Sequence, residues 1–184
     1  MDKPRRRDPA QTKANILAAA QQAFAGIGYP QAGIRDIAAL AGVTSPMLLH
    51  YFGSKAGLFE AALIDSMQSG VLFDTPRERF GKHLMRQLSD PEVEIQTPAL
   101  IVLSTGDAEA RAVTTKVTEH QGVRPLAKWL GPPDGHARAV QISMLAIAYV
   151  LFTRQVPLVE LGSRADRELI KWMAETIQGI VDRV

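Results

Sequence analysis

The stretch Gly33–Leu58, GIRDIAALAGVTSPMLLHYFGSKAGL, predicts two short helices joined by a tight turn. Apolar side chains recur with the period of a helix at Ile34, Ile37, Ala38 and Ala41. Gly42 interrupts this pattern, and Thr44 or Ser45 followed by Pro46 marks the start of the next helix. Two short helices around a glycine turn form a helix-turn-helix unit, which places its second helix in a DNA groove. The stretch therefore predicts a DNA-binding segment.

The second of these helices is expected over residues 45–52, with Leu48 and Phe52 on the core side because they are four residues apart. The side chains left on the outer face are Ser45, Pro46, Met47 and His50. A hydroxyl, a proline ring, a thioether and an imidazole suit base edges and thymine methyl groups. Ser54 should cap a further helix that begins at Lys55, where the helix dipole and the ammonium group both attract phosphate.

The charge distribution agrees with a phosphate-binding segment near the N-terminus. The first 55 of the 184 residues carry seven basic and three acidic side chains, whereas the remainder carries 14 basic and 16 acidic ones. Concentrated positive charge is what a DNA-binding head requires, although an ordinary solvated N-terminus has the same composition. The chain is long enough for a small head and a larger body.

A basic arm, Arg5, Arg6 and Arg7, precedes the first predicted helix. Such an arm can lie along phosphates or enter a minor groove, although a solubilising tail looks the same. Asp8 and Pro9 start the first helix, which the glycines Gly26 and Gly28 are expected to end. We therefore expect an all-α protein whose head, residues 1–54, contains the arm and three helices.

Residues 55–184 are expected to form a helical body. After the helix that begins at Lys55, helices are predicted over residues 77–88 and 92–104, from Asp107, over residues 136–156, and after Ser163. The last two are rich in apolar residues, which suggests a four-helix interface with a second subunit. The residues expected at this dimer interface are Met144, Leu151, Leu169, Met173, Ile177 and Ile180.

Several classes of function are disfavoured by the composition and spacing. The chain contains no cysteine, and its four histidines have no metal-ligand spacing. No nucleotide-binding loop or catalytic motif is present, so we expect no enzyme, catalytic residue, metal ion or cofactor. The apolar run 139–152 is shorter than a membrane span of about 30 Å requires. We therefore expect a cytoplasmic protein with no membrane partner.

Beyond these residue patterns, the segment resembles the DNA-binding head of the tetracycline-repressor (TetR) family of transcriptional regulators. The resemblance rests on IRDIA, on the turn AGVTS and on LLHYFGSKAGL. It implies base contacts for Arg35, Ser45, Pro46 and Met47, a mixed role for His50, and phosphate contacts for Tyr51 and Lys55. With the turn and the arm included, the expected DNA-binding residues are Arg5, Arg6, Arg7, Arg35, Thr44, Ser45, Pro46, Met47, His50, Tyr51 and Lys55.

Simpler roles stay open for three of these residues. Tyr51 can pack beside Phe52, His50 can be an ordinary surface histidine, and Arg35 can pair with Asp36. Two positions also depart from the family pattern: Leu49 stands where a tyrosine is usual, and Gly33 where a hydroxyl residue is common. Both departures remove phosphate contacts, so we expect DNA affinity to depend more on the basic arm.

The resemblance also implies a pocket for a small effector in the body. Large flexible apolar residues can line a cavity or fill a core, and the candidates are Met67, Phe73, Met85, Leu100, Leu103 and Met144. Because few charges fall at inward positions, the effector is expected to be mainly apolar.

The function expected from sequence is a ligand-responsive regulator, a repressor that binds a palindromic operator in double-stranded DNA as a homodimer. Its recognition helices would lie about 34 Å apart, one turn of DNA. The alternative is a helical interaction or small-molecule-binding protein with a degenerate DNA-binding head.

Overall fold

A computed structural model describes residues 8–67 and 75–183, and every regular element in these ranges is helical. The α-helices are α1 (Pro9–Gln31), α2 (Ile34–Leu40), α3 (Ser45–Phe52), α4 (Lys55–Ser66), α5 (Phe80–Ser89), α6 (Thr97–Ser104), α7 (Ala108–Val117), α8 (Arg124–Leu130), α9 (Gly135–Val150) and α10 (Arg164–Val181). A 3-10 turn, Arg77–Arg79, precedes α5, and π-helical turns, Thr118–Val123 and Leu151–Gln155, follow α7 and α9. The predicted all-α class is confirmed. Arg5, Arg6, Arg7 and Phe73 lie outside the described residues.

The chain divides into two compact units. The first contains the residues up to Ser66 together with Leu100–Thr115, and the second contains the rest of the chain. The sequence predicts a division after Ser54, whereas the first unit includes all of α4. The physical reason is burial, because Leu58, Phe59 and Leu63 of α4 belong to the core and are at most 1% exposed.

Side-chain caps fix where five of the described helices begin. The capping residues are Asp8 for α1, Thr44 for α3, Ser54 for α4, Asp107 for α7 and Ser163 for α10. In each case a side-chain oxygen accepts a backbone N–H two or three residues further on, which satisfies a donor that the helix leaves unpaired. The helix expected over residues 92–104 begins only at Thr97. Pro98 therefore stands in the first turn, where its missing N–H costs nothing, and does not bend a longer helix.

The core of the first unit is built around three aromatic rings. Phe24 and Phe59 meet edge to face with their ring centroids 5.1 Å apart, and Tyr29 stacks on Phe24 at 5.7 Å. Such pairs add to the stability that burial of the rings provides. Ile37 of α2 and Leu48 of α3 are completely buried, and they anchor the two short helices to this core.

The core of the second unit contains residues that the sequence assigned to a dimer interface. Met173, Ile177 and Ile180 of α10 expose 3%, 0% and 5% of their surface and pack with Phe80 and Met85 of α5. These three residues are therefore corrected to core positions. Gly81 permits this close packing, because a Cβ atom there would collide with the carbonyl oxygen of Ala174.

The segment Gly135–Gln155 combines α9 with its π-helical turn. By length and composition alone it would suffice to cross a membrane, and 28% of its most apolar stretch is buried. These criteria are weak evidence, because core helices of water-soluble proteins also meet them. Met144 lies on the exposed side of this helix.

Two arginines bind the carbonyl ends of helices in the second unit. Arg138 is 2% exposed, and its guanidinium donates to carbonyl oxygens near the ends of α8 and α10, including Gly131 at 2.6 Å and Arg183 at 3.0 Å. Arg77 donates to Leu130 at 2.9 Å and to Val181 at 3.1 Å. The last carbonyls of a helix lack partners within it and carry partial negative charge. The two guanidinium groups supply donors and positive charge to both helix ends.

We predict that Arg138→Met lowers the free energy of unfolding by about 3 kcal/mol, because it leaves buried carbonyl groups without donors. Urea denaturation at a fixed protein concentration measures this change. The matched control is Arg164→Met in α10. Arg164 pairs with Glu168 on the surface, where its side chain is 86% exposed, so its loss should change stability by no more than about 0.5 kcal/mol. Equal effects of the two substitutions would contradict this role of Arg138.

Candidate nucleic-acid interface

The turn between α2 and α3 is closed by three backbone and side-chain hydrogen bonds. Gly42 has a positive φ of 65°, its N–H donates to Ala39 O at 3.1 Å, and the N–H of Val43 donates to Ala38 O at 2.9 Å. This pattern ends a helix with a left-handed glycine. Two residues later Thr44 Oγ1 accepts the N–H of Met47 at 3.3 Å and caps α3. Thr44 therefore has a structural role as the cap, in addition to its expected place in the interface.

One side of α3 is buried and the other is open to solvent. Leu48 is completely buried, while Met47 and Leu49 each expose 39% of their surface. Pro46 and His50 are also exposed, and Ser45 is partly exposed. The outer face predicted from the helical period is thus present. It offers apolar groups, a hydroxyl and an imidazole, the chemistry that reads base edges and thymine methyl groups.

Arg35 stands exposed in the first turn of α2 and forms no ion pair with any residue that the structure describes. Pairing with Asp36, the simpler alternative, is not observed. A cation in the first turn opposes the helix dipole, so its position is not explained by helix stability. At Gly33, a Cβ atom would lie 2.7 Å from Asp36 Oδ2. The Asp36 carboxylate thus occupies the space that a larger side chain at residue 33 would need.

Tyr51 and His50 form a small aromatic group at the end of α3. The ring centroids of Tyr51 and Phe52 lie 6.2 Å apart, and those of His50 and Tyr51 lie 6.1 Å apart. Tyr51 nevertheless keeps 36% of its surface exposed. Its ring therefore packs along Phe52 while its outer part stays available to a phosphate.

Lys55, at the start of α4, is held by the end of α1. Its Nζ atom donates to the carbonyl oxygen of Pro30 at 3.3 Å and lies 4.6 Å from the centroid of the Tyr29 ring. The cap at Ser54 accepts the N–H of Gly57 at 3.0 Å. A carbonyl oxygen takes one of the three ammonium protons, which leaves two for a phosphate at this helix start.

Tyr29 and Glu109 were missed by the sequence reasoning. The hydroxyl of Tyr29 donates to Glu109 Oε2 at 2.6 Å, and the two residues are 80 positions apart. Burial, followed by the hydrogen bond to Glu109, raises the pKa of Tyr29 above its ordinary value. Tyr29 stays a protonated donor at neutral pH. Its place beside Gly28 and Pro30 was the sole sequence signal. The expectation that Gly26 and Gly28 end the first helix is corrected: Gly28 only interrupts the helical conformation, with a φ of 79°, and α1 continues to Gln31.

The residues expected to line an effector pocket fall in both units. Leu100 and Leu103 belong to the first unit, and Met67, Met85 and Met144 to the second. Met85 and Leu100 are at most 1% exposed, whereas Leu103 exposes 40% and Met144 66%. Met85 and Leu100 are thus shielded from solvent while Leu103 and Met144 are not, and the lining of an effector pocket stays a prediction for all of them.

Two family models match the chain. The model described as bacterial regulatory proteins, tetR family, matches residues 16–62, and the model described as tetracyclin repressor-like, C-terminal domain, matches residues 78–181. The second match alone covers more than half of the 184 residues.

Individual relatives agree with these matches. The transcriptional activator FasR of Mycolicibacterium smegmatis is 40% identical over 62 residues, which cover 32% of this chain and 28% of that relative. A TetR-family regulator from Rhodococcus sp. superposes with a TM-score of 0.74 at 18% identity, covering 94% of this chain and all of the other. NalD of Pseudomonas aeruginosa is the secondary repressor of the MexAB-OprM multidrug efflux pump. Its structure superposes with a TM-score of 0.65 at 15% identity, covering 91% of this chain and 97% of NalD.

The chain belongs to the tetracycline-repressor family of bacterial transcriptional regulators. The DNA-binding class and the helix-turn-helix head predicted from sequence are confirmed at the level of the family. Members of this family are transcriptional regulators.

We predict that Met47→Ala and Lys55→Ala have different effects on DNA binding. An operator is first selected from a randomised pool of duplexes, and each variant is then titrated against it and against random duplex at several salt concentrations. Lys55→Ala should weaken both complexes alike and reduce the salt slope by about 0.9 per lost contact. Met47→Ala should weaken the operator complex by about tenfold and leave random duplex unchanged. Equal losses on random duplex would contradict the division of roles.

Proposed function

We propose that this protein binds a palindromic operator as a homodimer and represses transcription until a small, mainly apolar effector releases it. The observation that carries the DNA-binding part is the outer face of α3, whose exposed side chains lie opposite the completely buried Leu48. The exposed Arg35 and the ammonium group of Lys55 flank this face with positive charge. The basic arm, Arg5, Arg6 and Arg7, is proposed to add phosphate contacts. A regulator of this kind acts in the cytoplasm, where the DNA is.

Repression is proposed over activation because it needs the simpler mechanism. A dimer that occupies an operator hinders transcription without contacting any further protein. Among the relatives, FasR is named an activator and NalD a repressor. A template that carries the selected operator downstream of a promoter tests the proposal. The protein should lower transcript yield, and a rise in yield would contradict repression.

The dimer is proposed to form through the exposed sides of α9 and α10. Met144 on α9 exposes 66% of its surface and Trp172 on α10 exposes 54%. Leu151 and Leu169, expected at the interface from sequence, are partly exposed. Trp172 is added to the predicted residues Met144, Leu151 and Leu169, and Met173, Ile177 and Ile180 are left out because they face the protein's own core.

One contact and one open position support this surface. Arg183, just after α10, donates to Gln141 Oε1 of α9 at 3.5 Å, so the exposed sides of the two helices lie next to each other at this end. Gly179 has open space where a Cβ would be. A glycine on an exposed helix side permits close approach of another helix. Large apolar groups beside such a position are typical of helix pairs in dimers.

We predict that Trp172→Glu converts the dimer to a monomer, because it places a charge in an apolar interface. Sedimentation equilibrium measures the mass, and operator titration should show a loss of affinity of at least about a hundredfold, since one head then binds alone. The matched control is Val102→Glu. Val102 is an exposed apolar residue of α6 in the first unit, and its substitution should leave both mass and affinity unchanged. A dimeric Trp172→Glu variant would contradict the proposed interface.

The effector is proposed to enter the second unit, with Met67 and Met85 as adaptable apolar neighbours. Among the described residues, His83 Nε2, Gln96 Oε1 and Thr118 Oγ1 are buried without a hydrogen-bond partner. Arg86 lies 3.2 Å from His83 Nδ1, and a guanidinium can only donate, so the proton of His83 is on Nε2. A buried donor without an acceptor supports an effector that carries one hydrogen-bonding group on an apolar body.

We predict that such compounds raise the Tm of the protein and lower its affinity for the operator, while analogues without the hydrogen-bonding group do less. Binding at a hundredfold excess over Kd adds about 2.7 kcal/mol to stability, enough for a clear thermal shift. A ligand can release DNA only through different affinities for two states of the protein. A compound that raises the Tm but leaves operator affinity unchanged would contradict its role as effector.

A further inference from the structure

Tyr29 lies between the start of α4 and the first turn of α7. Its ring is 4.6 Å from the Lys55 ammonium, and its hydroxyl donates to Glu109 Oε2 at 2.6 Å. The neighbouring carbonyl of Pro30 accepts from the same ammonium at 3.3 Å. The cation at the start of α4 is thus held by α1, and the tyrosine that faces it is held by α7. All of these residues belong to the first unit.

Tyr29 is well suited to hold a cation in one place. It is 5% exposed, and its ring contacts Phe24 at 5.7 Å and Phe59 at 5.3 Å between centroids. A ring packed on two sides cannot follow the flexible lysine stem, so the lysine must adapt to the ring. Attraction between an ammonium and an aromatic face then favours one position of Nζ. A side chain positioned in advance loses less conformational freedom when it binds a phosphate.

Glu109 connects this arrangement to a helix that enters the second unit. It lies in the first turn of α7, which Asp107 caps by accepting the N–H of Ala110 at 2.9 Å. Further along α7, Thr114 is buried and bonds to Ser104 at 2.8 Å. The residues from Lys116 onward belong to the second unit, and the chain stays helical through the π-helical turn into α8. A shift of this helix along its axis therefore moves Glu109.

We infer that Tyr29 and Glu109 are positioning residues for DNA binding, which link α7 to the Lys55 ammonium and so to its phosphate contact. The inference rests on the proposed DNA-binding function and adds a route by which α7 acts on it. When the Tyr29–Glu109 hydrogen bond breaks, the ring keeps its packing against Phe24 and Phe59, but α7 no longer holds its tilt. The position of the Lys55 ammonium above the ring is then less well defined, and phosphate binding weakens. Because a phosphate contact does not depend on the base sequence of the DNA, the loss of affinity should appear on any duplex.

A double-mutant cycle on random duplex at low salt tests the inference. Tyr29→Phe removes only the hydroxyl and leaves the packed ring, so it should fold. It should weaken binding by about fivefold, because the Lys55 side chain then loses more conformational freedom when it binds a phosphate. Lys55→Ala should weaken binding to random duplex more than Tyr29→Phe does. The double variant should bind like Lys55→Ala alone, because Tyr29 acts through Lys55 and the two effects are then not additive. Additive losses, or unchanged binding by Tyr29→Phe, would overturn the inference.

Two further variants separate positioning from stability. Tyr149 also donates its hydroxyl to a carboxylate, Asp166 Oδ1 at 2.9 Å, but in the second unit. The matched control Tyr149→Phe should lower the Tm and leave DNA affinity unchanged. Glu109→Gln keeps an oxygen that accepts from Tyr29 and should bind at least as well as the wild type, whereas Glu109→Ala should behave like Tyr29→Phe. If Tyr149→Phe weakens DNA binding in proportion to the fall in its Tm, the weaker binding of Tyr29→Phe is explained by lower stability alone. That result would overturn the inference. Failure of the wild type to bind duplex would instead refute the proposed function.

Discussion

The passage of the chain from α2 to α3 is the constraint on which the DNA-binding surface depends. Only three residues, Gly42, Val43 and Thr44, follow the C-cap of α2 before α3 begins. Gly42 adopts a positive φ that other residues rarely accept, and Thr44 caps the next helix. With so short a connection, the direction of α3 is fixed by backbone geometry, and the buried Leu48 fixes its rotation. The exposure of Met47, His50 and Tyr51 follows from these two conditions.

In the second unit the corresponding constraint is that the last carbonyl groups of α8 and α10 need hydrogen-bond donors. Arg138 and Arg77 donate to the last carbonyls of α8 and α10, and these bonds join segments that are far apart in the sequence. Because buried carbonyl groups without donors are costly, the position of α10 beside α8 and α9 is well determined. The exposed sides of α9 and α10, which carry Met144 and Trp172, belong to helices that these bonds hold in place within the second unit. A surface that is ordered before association favours the proposed dimer, since little conformational freedom is lost when it forms.

Local features of the sequence predicted the head well. The caps at Asp8, Thr44, Ser54 and Ser163 act within three residues, so their effect is visible in the sequence. Features that depend on tertiary packing were not predictable in this way. The apolar spacing of α10 identified Met173, Ile177 and Ile180 correctly as one side of a helix, but spacing cannot tell whether that side faces α5 or another subunit. The hydrogen bond between Tyr29 and Glu109 joins residues 80 positions apart and left no local pattern.

We propose that a two-fold dimer reads DNA with two copies of α3. Hydroxyl-radical footprinting on the selected operator tests it most directly, because it maps backbone protection on each strand. Such a dimer should protect two regions, related by symmetry about the centre of the palindrome, with centres about 34 Å or one helical turn apart. A single protected region without symmetry would contradict it.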